Sequence, residues 1–324
     1  MDVTVGELSE SEVLRRIAAR TGRASATVVG PGDDAAVIAA ASGSVVATTD
    51  TLVHGPDFRL AWSGGFDLGW KAAAVNLADV AAMGARPTAL LVALAMPTHT
   101  RIGFVEQLAD GLREACEALA PGCAVVGGDL TVSDTLTIAV TALGDLEGRR
   151  PVLRSGARAG DVVAIAGELG AAGRGLAILF DRFRDAAGDP VPVATSALRA
   201  GEAALLEAQL RPAPPIGLGP VAAMAGATAM MDVSDGLALD ARRLADASGV
   251  AIDLERDALG SDPVAALEGG EDHALLATFA GAHLPPGFRP IGRVREGAGV
   301  TIDGVAYDRR GGWDPYADWD ARTG

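Results

Sequence analysis

The stretch Ala229-Met230-Met231-Asp232-Val233-Ser234-Asp235-Gly236-Leu237 decides how the rest of the chain is interpreted. It is a short apolar run that stops at two carboxylates, and apolar side chains continue at helical spacing after Leu237. The stretch therefore predicts a strand that leads through an acidic turn into a helix. Taken alone, Asp235 or Ser234 could simply cap that helix, and Asp232 could simply end the strand.

Similar acidic segments recur along the chain, each after an apolar run or on a predicted helix. They are Gly32-Asp33-Asp34, Thr48-Thr49-Asp50, Asn76-Leu77-Ala78-Asp79, Gly127-Gly128-Asp129 and Gly269-Gly270-Glu271-Asp272. Any one of them could be an ordinary turn in which Gly stands beside Asp. Several carboxylates can face a phosphate group when divalent cations lie between them, and Mg²⁺ prefers oxygen ligands. Together the segments predict phosphate chemistry with more than one Mg²⁺ ion.

The composition excludes several classes of protein. With 324 residues, the chain is long enough for two domains, and a net charge of −15 argues against nucleic acid or an anionic membrane as a partner. No window has the apolar length of a membrane span, and the N-terminus lacks a signal-peptide pattern. Cys116 and Cys123 are too few for a disulfide framework and have no zinc-site spacing, so we expect a cytoplasmic protein.

The common nucleotide-binding motifs fit poorly. Residues 30–35 match a weak form of the dinucleotide fingerprint, but no long helix follows and two carboxylates would face the pyrophosphate. No P-loop is present, and Lys71, the one lysine among 27 Lys and Arg residues, lies inside a predicted helix. The HRD loop of protein kinases and the GxSxG elbow are also missing. A bound nucleotide is therefore expected in a site of another kind.

Hydrophobic periodicity predicts an α/β protein with two domains. The first half is predicted to contain helices at about 10–21, 66–83 and 102–119, and a strand at 123–126 that ends at Gly127-Gly128-Asp129. The segment 147–160 is rich in Gly, Pro and Arg and is the best linker candidate. We therefore expect domains at 1–147 and 148–324, the second with a helix at about 195–210 and another at 217–225.

The ordered acidic segments, together with the helix Lys71–Ala85 and with Arg154-Ser155-Gly156-Ala157, resemble those of the thiamine-monophosphate kinase family. The resemblance covers nearly the whole chain and is most specific at 71–85 and 232–237. It implies membership of the aminoimidazole ribonucleotide synthetase-like superfamily, with a two-domain α/β (α+β) fold. It further implies that the N-terminal sheets pair across a homodimer and that ATP lies in a cleft.

The resemblance also implies roles for individual residues. Ligands of several Mg²⁺ ions would be Asp34, Thr48, Thr49, Asp50, Asp79, Asp129, Asp232 and Asp235. Contacts to ATP would come from Gly128, Asp129, Arg154 and Ser234. The acceptor would be held by Glu271, Trp313 and Asp57, the last standing where the family commonly has His. Asp232 and Asp235 would hold the metal nearest to the transferred group and would thus be catalytic.

The activity implied by the resemblance is Mg²⁺-dependent transfer of the ATP γ-phosphoryl group to thiamine monophosphate. An acceptor phosphate with a second pKa of about 6 is largely deprotonated at neutral pH, so no general base is needed. We therefore expect a site without a placed His or Lys. Two alternatives stay open: another ATP-dependent enzyme of the superfamily, and a non-catalytic homologue that binds nucleotide and metal.

Overall fold

The computed structural model describes residues 3–29, 36–281 and 283–313, which form two main β-sheets with packed helices. The helices are α1 Glu10–Ala18, α2 Gly65–Ala82, α3 Ile102–Leu119, α4 Ala171–Arg182, α5 Glu202–Leu210, α6 Leu218–Met224, α7 Leu237–Ser248 and α8 Pro263–Glu268. The strands are β1 Thr27–Val29, β2 Val37–Ile38, β3 Val46–Val53, β4 Arg86–Met96, β5 Val125–Val132, β6 Thr137–Asp145, β7 Val162–Ala166, β8 Ala227–Val233, β9 Ala251–Leu254, β10 Ala274–Phe279, β11 Arg289–Arg295, β12 Gly299–Ile302 and β13 Val305–Ala306. The expected α/β class is confirmed. Within these ranges, no helix has the length and apolar character needed to cross a bilayer.

The first sheet has the strand order β3-β6-β4-β5, and its two faces differ. Thr48 and Asp50 lie opposite Ala142 and Val140 of β6, on the face against which α2 and α3 pack. Side chains point alternately to the two faces of a strand, so the intervening residues lie on the other face. We call that other face the open face; its central members are Ala47, Thr49, Thr51, Leu91, Ala93, Asp129 and Ala139.

Helix α2 lies between the two halves of the molecule. One side of it packs on β3, β4 and β6, and another side packs on α6, β8 and β10. Ala82, at its C-terminal end, shares an apolar cluster with Met230 and Leu275. A helix covered on several sides is expected to be apolar around most of its circumference, which explains its sequence. Its few polar residues, among them Lys71, Asn76 and Asp79, are consequently held at the junction of the halves.

The second sheet has the strand order β13-β12-β9-β11-β7-β10-β8. The run Val162–Ala166 in β7 is buried on both faces, as its continuous apolar character predicts. β8 is an edge strand beside β10, and Asp232 lies near its end, opposite Leu275. The chain passes from the first sheet to the second between Asp145 and Val162. The predicted domain division at 147/148 falls in this interval and stays a prediction.

Two segments differ from expectation. The segment Gly127–Asp129 is part of β5 and is not a turn. A Cβ atom at Gly128 would lie 1.9 Å from the carbonyl oxygen of Val92, so this glycine permits the close approach of two strands. The helix predicted from about 195 begins at Glu202, after a short 3₁₀ turn, because Gly201 adopts a left-handed φ of 84° that a helix cannot contain.

Candidate active site

The turn between β8 and α7 holds its carboxylates in place through its own backbone. Asp240, in the first turn of α7, accepts hydrogen bonds from the backbone N–H groups of Asp235 (3.0 Å) and Gly236 (3.3 Å). Gly236 is the N-cap residue and has a φ of 131°, so the interpretation of Ser234 or Asp235 as the cap is wrong. The carboxylate of Asp235 instead pairs with Arg243 at 2.5 Å. Asp240 thus fixes the backbone of the turn before α7, and Ser234 and Asp235 line the neighbouring cleft.

Three carboxylates approach one another where β3, α2 and β8 meet. Burial, followed by the nearby charges of Asp232 and Asp50, raises the pKa of Asp79 to about 6. Asp79 also accepts a hydrogen bond from Thr48 Oγ1 at 2.7 Å. The backbone N–H of Asp50 donates to Asn76 Oδ1 at 3.0 Å, which fixes β3 against α2. We call Asp50, Asp79 and Asp232 the acidic cluster. Its first and last members, Asp50 and Asp232, are 182 positions apart in the sequence.

The donor chemistry of the acidic cluster fits Mg²⁺. Carboxylate and hydroxyl oxygens are the ligands that this ion prefers, and it usually retains water and substrate oxygens as further ligands. Burial also raises the pKa of Asp50; the charge of His273 opposes this shift, and the charges of Asp232, Glu271 and Asp235 add to it. Among the described residues, no three His, Cys, Asp or Glu side chains converge closely enough to hold one ion by themselves.

Other predicted residues lie away from the acidic cluster. Thr49 points to the open face, where its hydroxyl donates to the carbonyl of Val140 at 3.0 Å. Asp129 lies on the open face as well, exposed on the edge strand β5 beside Gly128. Arg154 is exposed in the segment between the sheets, and its carbonyl accepts a hydrogen bond from Ser248 at 2.8 Å. Asp34 lies outside the described residues.

A cleft of about 550 Å³ opens beside the β8–α7 turn. Its wall includes Asp57, Glu271 and Trp313, the three residues predicted to hold the acceptor, together with aromatic rings of Phe58, Trp62 and Phe180. Asp57 Oδ2 accepts a hydrogen bond from the backbone N–H of Val53 at 2.7 Å and so closes the turn after β3. The backbone N–H of Trp313 donates to the carbonyl of Asp235 at 3.1 Å, which docks this part of the tail on the turn.

Two side chains at the candidate site were missed by the sequence reasoning, which expected no placed His or Lys. Lys71 Nζ lies 2.6 Å from Glu271 Oε2 in the wall of the cleft. His273 Nδ1 lies 3.1 Å from Asp232 Oδ2, and both side chains are buried. Burial lowers the pKa of His273, but the hydrogen bond and charge of Asp232 outweigh burial, so the net shift is upward. The isolated lysine in an arginine-rich sequence was the available signal for Lys71.

Replacing Asp79 with Asn should stabilise the metal-free protein at pH 7.5. The folded state favours the protonated carboxyl, so ionisation above the folded pKa of about 6 opposes folding; this penalty disappears as the pH falls towards the ordinary value of 3.8. This difference in pKa corresponds to at most about 3 kcal/mol of unfolding free energy. Part of that energy is repulsion between Asp79 and the neighbouring carboxylates, so it belongs to the group and not to Asp79 alone. Urea unfolding in EDTA at pH 7.5 and pH 4 measures the effect. A variant less stable than the parent at pH 7.5 would contradict this view of the acidic cluster.

Comparisons with known proteins show which family the chain belongs to. Residues 32–146 match the model of the AIR synthase related protein, N-terminal domain. The thiamine-monophosphate kinase of Mycobacterium tuberculosis is 43% identical over an alignment that covers 98% of this chain and 94% of the relative. The crystal structure of thiamine-monophosphate kinase from Stenotrophomonas maltophilia has a TM-score of 0.78 and 34% identity, covering 93% of this chain and 98% of that one. A structure described as AaThiL complexed with AMPPCP and TMP has a TM-score of 0.74 and 34% identity, covering 87% and 90%. The recognition made from the acidic segments is confirmed, and the chain belongs to the thiamine-monophosphate kinase family.

Proposed function

We propose that the protein transfers the γ-phosphoryl group of ATP to thiamine monophosphate, giving thiamine diphosphate and ADP. The observation that carries this proposal is the acidic cluster beside a cleft whose wall includes Glu271 and Trp313. The relatives support it, since they are named for this activity and one was crystallised with AMPPCP, an ATP analogue, and TMP. ATP and thiamine monophosphate are then the two substrates.

In this proposal the protein positions two phosphate groups and balances their charge. The acceptor phosphate is a ready nucleophile at neutral pH, and phosphoryl transfer depends mainly on in-line positioning and electrostatic stabilisation. Mg²⁺ would be held by Asp50, Asp79, Asp232, Asp235 and Thr48. When bound, it would neutralise the phosphate charge. Asp34, Thr49 and Asp129 as further ligands, and Gly128, Arg154 and Ser234 as ATP contacts, rest on the family resemblance and stay predictions.

The acceptor end of the cleft suits a cationic aromatic ring. Thiamine carries a positively charged thiazolium ring, which a carboxylate attracts by charge and an indole face attracts by cation–π interaction. Glu271 supplies the carboxylate and Trp313, which is 40% exposed, supplies the indole. Asp57 adds a second carboxylate to the same wall, although its hydrogen bond to Val53 gives it a role in the turn as well.

The direct test is to incubate the purified protein with ATP, Mg²⁺ and thiamine monophosphate and to separate the products by chromatography. We expect equal amounts of thiamine diphosphate and ADP, and none when EDTA replaces Mg²⁺. ATP binding without thiamine diphosphate would favour a non-catalytic homologue or another acceptor. ADP formed equally without thiamine monophosphate would mean that water is the acceptor.

We further propose that two copies pair through the open face. Thr49, Thr51, Leu91 and Ala93 are exposed there, so small and apolar side chains share a surface that a second sheet could cover. Ala139 lies near the centre, opposite Ala93 of β4 and Thr51 of β3. Pairing would enclose Thr49 and Asp129 between the subunits. The cytoplasmic location predicted from the two cysteines is not tested by this arrangement and stays a prediction.

Replacing Ala139 with Arg should convert the dimer into monomers, because a bulky charge would face the same residue of a symmetric partner. Sedimentation velocity at micromolar concentration measures the oligomeric state. Val305→Arg is the matched control, since Val305 is 70% exposed on β13, far along the other sheet, and should leave the dimer intact. A parent protein that already sediments as a monomer would contradict the pairing.

A further inference from the structure

Lys71 occupies an unusual position for the single lysine of this chain. Its side chain is 5% exposed, and its ammonium group lies 2.6 Å from Glu271 Oε2 across the junction of the two halves. The other 26 of the 27 Lys and Arg residues are arginines. The guanidinium group of arginine is planar and broad, with several N–H donors, and needs more room than an ammonium group. A compact ammonium on a flexible stem fits a confined site beside one carboxylate. The position therefore calls for the shape of lysine as well as its charge.

A second contact, with Gln209 of α5, also holds the ammonium group. With its amide oriented so that both of its polar groups are satisfied, Gln209 accepts a hydrogen bond from Lys71 Nζ at 3.1 Å. The same amide donates to the carbonyl of Ala172 at 3.1 Å. Gln209 is itself buried on α5, so the ammonium is held from α2 and α5 together. It is thereby fixed in the wall and does not move freely through the cleft.

The backbone of Glu271 is fixed independently. Its φ of 75° is left-handed, a conformation that persists where surrounding contacts impose it. The N–H of Glu271 donates to the carbonyl of Ser234 at 2.7 Å. The next residue, Asp272, accepts hydrogen bonds from the N–H groups of Gly170 (2.6 Å) and Ala172 (2.9 Å). With the backbone held in this way, the remaining freedom of Glu271 lies in its side-chain torsions, which the contact with Lys71 restricts.

We propose that Lys71 is a positioning residue that orients the Glu271 carboxylate for the cationic ring of the acceptor. The inference rests on the proposed function and adds to it the residue that sets the acceptor-binding carboxylate. A carboxylate has two oxygens and about four acceptor sites, so one ammonium contact leaves capacity for a ligand. Partial burial raises the pKa of Glu271, but the charges of Lys71 and then His273 outweigh it, so the net shift is downward and the carboxylate stays ionised.

The proposal predicts a selective defect. Lys71→Met should raise the KM for thiamine monophosphate about tenfold or more, the size of an effect on a hydrogen bond to a charged group. The KM for ATP and the kcat should stay within about threefold. Arg86→Met is the control for losing an ion pair, because Arg86 pairs with Glu147 at 2.9 Å outside the cleft and should leave both KM values unchanged.

A double-mutant cycle tests whether Lys71 acts through Glu271. If it does, Lys71→Met combined with Glu271→Gln should bind thiamine monophosphate no more weakly than Glu271→Gln alone. Calorimetric Kd values for thiamine monophosphate provide this readout without turnover, so it stands even if thiamine diphosphate is never formed. Effects that multiply in the double variant would overturn the proposal. An unchanged or lowered KM for thiamine monophosphate in Lys71→Met would also overturn it. The ammonium group would then either have no effect on acceptor binding or compete with the ring for Glu271.

The single lysine also allows a test on the unmodified protein, which covers the case in which Lys71→Met fails to fold. Protein labelled with ¹⁵Nζ-lysine should give one side-chain ammonium signal by NMR, because Lys71 is the one lysine present. We expect this signal to shift when thiamine, which lacks the phosphate, is added, and to shift in the same way in Arg86→Met. A signal unchanged at saturating thiamine would contradict the proposed contact between Lys71 and the ring-binding carboxylate.

Discussion

Replacing Asp232 with Asn is expected to lower kcat by about 10³-fold or more, because it removes a full charge where electrostatic stabilisation of phosphoryl transfer is concentrated. The residue is 4% exposed near the end of β8, and its neighbours in the acidic cluster are Asp50 and Asp79. Asn has nearly the same shape and keeps an oxygen that can accept from His273. Its removal of one buried negative charge also relieves repulsion, so the melting temperature should stay the same or rise slightly.

The measurement pairs turnover at saturating ATP, Mg²⁺ and thiamine monophosphate with a thermal melt of the same sample. Asp253→Asn serves as the matched control. Asp253 accepts hydrogen bonds from Thr301 Oγ1 (2.6 Å) and from the N–H of Gly304 (2.9 Å) on the far side of the second sheet. That variant should melt earlier and keep its turnover. Near-normal turnover in Asp232→Asn would refute the assignment of Asp232 to the site.

The sequence predicted most reliably those features that depend on neighbours in the chain. The strand, acidic turn and helix at 229–248 follow from an apolar run, two carboxylates and helical spacing, and all three are present. The long apolar helix was predicted at 66–83 and is found at Gly65–Ala82. In both cases the periodicity of buried residues carries the information, and packing against other elements reinforces the local preference.

Features that depend on distant partners could not be predicted in this way. Lys71 and Glu271 are 200 positions apart, and nothing near either residue indicates that they form an ion pair. Asp232 and His273 meet because β8 and β10 are adjacent and antiparallel, which is a property of the sheet order. The expectation of a site without Lys or His was therefore wrong for a physical reason: topology, and not spacing, brings these groups to the carboxylates.

The direction of the Asp129 side chain was not predicted, for a different reason. Once Gly127–Asp129 is interpreted as a turn, the direction of the Asp129 side chain is undetermined. As part of β5 it must point away from the face of Leu130, which packs into the core beneath α2 and α3. The alternation that assigns Asp129 to the open face was present in the sequence, but two adjacent glycines concealed the strand.

The position of the site on α2 depends on how closely α2 and α3 approach each other. Glycines on both helices allow the two backbones to touch: a Cβ atom at Gly69 would lie 2.0 Å from the carbonyl oxygen of Leu108. From this one helix, Lys71 pairs with Glu271 in the cleft wall, and Asp79 accepts a hydrogen bond from Thr48 in the acidic cluster. A change in the separation of α2 and α3 would therefore move the acceptor-binding end and the acidic cluster together.

Replacing Gly111 with Ala is expected to destabilise the protein by forcing α2 and α3 apart. Its Cβ atom would lie 2.1 Å from the carbonyl oxygen of Phe66 and 2.8 Å from the backbone nitrogen of Trp70, so α3 must move away from α2. Overpacking of this kind costs about 1–3 kcal/mol and sometimes more, which exceeds the gain of about 1 kcal/mol from helix propensity. We expect a melting temperature lower by roughly 3 °C, with turnover reduced because α2 carries Asp79. Gly217→Ala is the control, since Gly217 has a φ of −62° and no atom within 4 Å of the added Cβ, and it should melt like the parent. Equal melting of Gly111→Ala and the parent would show that the two helices can separate without cost, and the tight α2–α3 contact would then not be what positions the site.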